Sequence, residues 1–83
     1  MKHFSCLTFA LALLVTPVSA QSIDDAVEAY NSGQYGTALE YARALSNQGV
    51  ARAQNMLGVL YKNGEGVEQD VPRAVAYFEA AIA

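Results

Sequence analysis

An apolar stripe at helical spacing recurs four times along this chain, and it leaves little choice of fold. Ile23, Ala26, Val27 and Tyr30 fall at i, i+3, i+4 and i+7, the signature of one helix face with period 3.6. Ser22, with an acid three residues on at Asp25, opens this segment as a capping box would, and Gly33 follows its end. Tyr35, Ala38, Leu39, Ala42 and Leu45 repeat the stripe up to Asn47-Gln48-Gly49, where Gly49 suits a left-handed cap. Ala53, Met56, Leu57, Leu60 and Tyr61 give it a third time, closed by Asn63-Gly64. Val71, Ala74, Val75, Phe78 and Ile82 give it a fourth time, with Asp70 as N-cap and Pro72 in the first turn, where its missing N–H is harmless. No stretch alternates with period two. The prediction is an all-α chain, an α/α superhelix of about two helical hairpins in series.

The N-terminal residues follow a different logic. Lys2 and His3 make a short positive start, Phe4 to Val15 is apolar, Pro17 breaks the run, and Val18-Ser19-Ala20 satisfies the small-x-small rule. This reads as a signal peptide, residues 1–20, cut between Ala20 and Gln21. As a helix the run would reach only about 18 Å, short of a ~30 Å hydrocarbon core. The mature chain is therefore expected to be exported, periplasmic or secreted, without stable membrane insertion.

Cleavage alters the chemical inventory. The sequence has 1 His, 1 Cys and no Trp, and both His3 and Cys6 leave with the signal. Of 5 Lys and Arg against 8 Asp and Glu, Lys2 is also lost, leaving a net charge of −4. That balance disfavours nucleic acid or anionic lipid, which need clustered cations. Without His or Cys, residues 21–83 cannot build a His-assisted serine site, a cysteine nucleophile or a His/Cys zinc site. Asp24, Asp25 and Glu28 stand where a helix N-terminus favours acids. Glu65, Glu68 and Asp70 surround a glycine loop but lack EF-hand spacing. No catalytic, cofactor or metal residue is assigned. With no disulfide and a small core, self-association, a partner or further repeats would add stability.

Residues 51–82 carry a more specific pattern. Ala51-Arg52-Ala53-Gln54, Leu57-Gly58, Tyr61, Gly64-Glu65-Gly66-Val67, Asp70, Arg73-Ala74 and Tyr77 resemble the Sel-one-like repeat of the tetratricopeptide superfamily, A-x-A-Q-x-x-L-G-x-x-Y-x-x-G-x-G-V-x-x-D-x-x-K-A-x-x-W. Arg73 replaces its Lys, Tyr77 its Trp, and Ala80-Ala81-Ile82 its Lys-Ala-Ala ending. Residues 21–49 resemble a more ordinary tetratricopeptide hairpin, and 50–83 the Sel-one-like repeat. The motif residues have structural work. Ala53 and Leu57 belong to the third apolar stripe, Tyr61 and Tyr77 fill the interhelical layer, and Gly58 and Ala74 allow close helix approach. Gly64 and Gly66 permit positive φ, Val67 plugs the turn, and Asp70 caps the last helix.

The resemblance implies a protein or peptide partner. In stacked hairpins the first helix of each pair lines a concave face, which selects Glu28 and Asn31 on the first helix and Arg52, Asn55, Val59 and Lys62 on the third as candidate contacts. Exported members of the family serve in envelope complexes, stress signalling or host interaction. Cysteine-rich members are associated with β-lactam binding or hydrolysis, but their paired cysteines are lacking and that activity is not carried over. The alternative is an assembly subunit or a fragment of a longer Sel-one-like repeat protein: Ala80, Ala81 and Ile82 leave the last helix without a polar cap, an open end suited to a further repeat or a second copy.

Overall fold

The computed structural model describes residues 22–83. The expected signal peptide, Cys6 and the cleavage junction at Ala20 and Gln21 lie outside the described residues. Four helices make up the rest: α1 (Ile23–Asn31), α2 (Tyr35–Asn47), α3 (Ala51–Asn63) and α4 (Val71–Ile82). They form two α/α hairpins in series, and no strand occurs among the described residues. Each helix packs on the next, and α1 also touches α3. No helix among the described residues is long and apolar enough to cross a membrane.

Local chemistry sets the helix ends. Ser22 Oγ accepts from the Asp25 amide while Asp25 Oδ2 accepts from the Ser22 amide, a reciprocal capping box. Asp70 Oδ1 accepts from the Arg73 amide at 3.1 Å and starts α4, with Pro72 in its first turn. Gly64 takes φ 69° and Gly66 φ 76°, and between them the chain turns back along α3. The Asp70 amide then reaches the Tyr61 carbonyl at 2.9 Å, and the Gln69 side-chain amide donates to the Lys62 carbonyl at 2.9 Å.

The core centres on α3, where Leu57 and Leu60 are the largest wholly buried side chains. Ala26, Leu39, Ala42, Leu45, Ala53, Tyr61 and Ala74 complete the buried cluster. Alanines on α1, α2 and α4 keep the helices close, and the leucines on α2 and α3 fill the space this leaves. Gly58 lies under the Phe78 ring, so near that a β-carbon there would stand 2.4 Å from a ring carbon. Val67 packs against the edge of the cluster and Tyr77 lies half-buried on Tyr61.

The fourth stripe needs correction. Periodicity puts Val71 and Val75 on a core face, but they are 49% and 46% exposed, while Ile82, read from the sequence as part of an uncovered end, is 85% exposed. Helix α4 meets only α3, through Ala74, Tyr77 and Phe78. The first stripe also turns slightly: Ala26 and Ala29 are the buried pair of α1, while Val27 is half-buried at its edge.

Candidate functional site

Helices α1 and α3 run in the same direction with α2 antiparallel between them, and a trough lies along their shared face. Helix α1 contributes Ile23, Val27 and Tyr30, and α3 contributes Arg52, Asn55, Met56 and Val59, around a depression of about 190 Å³. Five of these side chains are apolar or aromatic. The spacing of 52, 55, 56 and 59 places the α3 members on one helix face. The volume falls below the ~300–1,000 Å³ usual for small-molecule pockets and suits one or two side chains of a longer ligand.

The ends of the trough differ electrically. Arg52 stands at the start of α3, exposed, and the one ion pair among the described residues joins Arg73 to Asp70 at 3.6 Å. At the other end the Tyr30 hydroxyl donates to Glu65 Oε1 at 2.9 Å, and Asn63 Nδ2 donates to the same oxygen at 3.3 Å. The Glu65 bond, then burial, raises the Tyr30 phenol above the usual tyrosine range. Tyr30 also tilts against Tyr35, with centroids 5.2 Å apart.

Arg52, Asn55 and Val59, three of the six residues selected from the sequence, thus share one trough. Glu28 instead borders a more polar depression between α1 and α2, with Asp25, Ser32 and Tyr41. Asn31 and Lys62 are exposed beyond both. Ile23, Val27, Tyr30 and Met56 belong to the apolar stripes of α1 and α3. Their second role follows from the way the hairpins stack, which no local pattern records.

A second polar cluster lies between α2 and α4. Arg43 Nη2 donates to the Tyr61 hydroxyl at 3.1 Å, and the Arg73 guanidinium carbon stands 5.3 Å from the Tyr61 ring centroid. Tyr61 stacks on Tyr77 at 5.6 Å. The Arg43 bond holds the Tyr61 phenol below its ordinary value, against the opposing effect of burial. Glu68, Asp70 and Arg73 border the same depression, so its charges largely cancel. Among the described residues, no three His, Cys, Asp or Glu side chains gather as metal ligands would.

Two stacked helical hairpins with a trough between their first helices define a tandem α/α helical repeat. Residues 51–83 match the model of the Sel1 repeat, which agrees with the resemblance carried by Ala51 to Tyr77. Two Helicobacter pylori proteins, each named "Putative beta-lactamase HcpE", are similar to this chain. The one from strain ATCC 700392 / 26695 is 40% identical over 45 residues, covering 54% of this chain and 13% of its own length. The one from strain J99 / ATCC 700824 is 40% identical over 42 residues, covering 51% and 12%. The chain therefore matches about an eighth of these relatives' length. No solved structure matches.

Proposed function

We propose that the chain is an exported interaction module that holds a segment of another protein in the trough between α1 and α3. The observation that carries this reading is the row of Ile23, Val27, Met56 and Val59, an apolar floor left partly open to solvent between the first helices of two stacked hairpins. Proteins keep open apolar concavities of this kind chiefly where something binds. Export rests on the Lys2 to Ala20 segment. The name of the relatives suggests β-lactam chemistry. Against it stand the absence of His and Cys from residues 21–83 and the small share of the relatives that is matched.

A photo-crosslinking residue placed at Asn55 should trap a partner in the producing cells, while the same residue at exposed Glu40 on α2 should not. Equal trapping from both positions would refute the trough assignment. Mass analysis of exported chain should find Gln21 as its first residue, and uncut chain would remove the export reading.

A second reading is favoured by one comparison. When the hairpins are aligned on Ala38 and Ala74, Leu39 corresponds to Val75. Leu39 is 7% exposed within the core cluster, and Val75 is 46% exposed. The outer face of α4 would accept a further helix placed on it as α3 is placed on α2, making the chain an assembly subunit.

A further inference from the structure

We infer that the segment held in the trough is acidic as well as apolar, with an aspartate or glutamate side chain meeting Arg52 and a large aliphatic side chain two residues away lying over Met56 and Val59. The inference rests on the trough reading above and adds the chemistry of the partner. It stands on charge complementarity within an otherwise acidic chain. None of the 8 Asp and Glu lines the trough, and among the described residues Arg52 is the only charged one that does. No carboxylate of the described residues lies within ion-pair distance of Arg52. It is therefore available as a guanidinium fork beside an apolar floor, a combination that selects a carboxylate next to a hydrophobic group.

Geometry supports a side-chain carboxylate within a continuous segment. In an extended peptide, residues i and i+2 share a face about 7 Å apart, and Arg52 and Met56 are separated by about 6 Å of helix rise. The 13 residues of α3 make a wall about 20 Å long, the reach of roughly six extended residues. Glu65, held by Tyr30 and Asn63 at the far end, repels a second acid there and fixes the direction of the segment. The carboxylate end lies toward the start of α3.

The test is selection from a displayed library of random octapeptides fused through their C-termini, so that every carboxylate offered is a side chain. The unaltered chain and Arg52→Glu and Val59→Ser variants would be panned in parallel, with helicity checked by circular dichroism. The expected result for the unaltered chain is enrichment, about fivefold, of Asp or Glu two positions from Leu, Ile or Met. Arg52→Glu should turn that preference toward Lys and Arg. Enrichment of aliphatic residues without acids, lost in Val59→Ser, would overturn the acidic partner and leave the trough reading in place. Failure to enrich any peptide over a blank support would overturn both.

Discussion

Gly66 lies so close to the start of α2 that a β-carbon on it would stand 2.8 Å from the carbonyl carbon and oxygen of Tyr35. The loop of the second hairpin thus rests on the backbone of the first. Gly49 has a similar positive φ, 82°, with open space around it. Gly49→Ala should cost only the left-handed conformation, about 1–2 kcal/mol, whereas Gly66→Ala adds a clash with backbone that cannot step aside. Urea denaturation should show the larger loss for Gly66→Ala. Equal losses would mean that the two hairpins do not meet at this point.

The approach of Phe78 to Gly58 sets a second contest. Alanine in place of a mid-helix glycine gains up to about 1 kcal/mol of helix propensity, but displacing the ring costs about 1–3 kcal/mol. Gly58→Ala should be destabilising by about 1 kcal/mol in the unaltered chain and neutral or favourable beside Phe78→Leu. The same loss in both backgrounds would show that the ring is not the obstacle.

The two hydrogen-bonded tyrosines should be shifted in opposite directions from the ordinary tyrosine value. Hydrogen bonding to Glu65 favours protonated Tyr30. Its contribution to stability is complete below the unfolded tyrosine value of about 10 and is lost as pH rises through the higher folded value. The Arg43 bond favours the Tyr61 phenolate, so its contribution appears as pH rises through the lower folded value and is complete above the unfolded one. In alkaline titration, the phenolate absorbance lost in Tyr61→Phe should develop at lower pH than that lost in Tyr30→Phe. The reverse order would contradict both hydrogen bonds.

Leu39→Ala should cost about 2–4 kcal/mol, because it empties a buried site in the core cluster. Val75→Ala should stay within about 0.5 kcal/mol of neutral, since the side chain is half in water already. A comparable, concentration-dependent loss for Val75→Ala would show that a second copy occupies the outer face of α4.

Much of the architecture was written locally. Ser22 and Asp25 stand at capping-box spacing, and stripes such as Leu57, Leu60 and Tyr61 mark a helix and its buried face at once. The misplaced residues are Val71 and Val75. Periodicity reports which face is apolar and says nothing about whether another element covers it. The trough was half legible: Arg52, Asn55 and Val59 could be placed on one face of α3, but the α1 wall depends on how the hairpins stack. The bond from Tyr30 to Glu65 spans 35 residues, and no pattern within either helix could disclose it.

The central position of α3 has a dynamic consequence. It is the helix packed against all three others, and it carries the two leucines most completely withdrawn from water. Its amide protons should exchange with solvent only through global opening, while the outer helices open locally. One wall of the trough is then fixed and the other, α1, is free to part from it. On the proposed reading, an incoming segment would be gripped by a moving jaw against a stationary one.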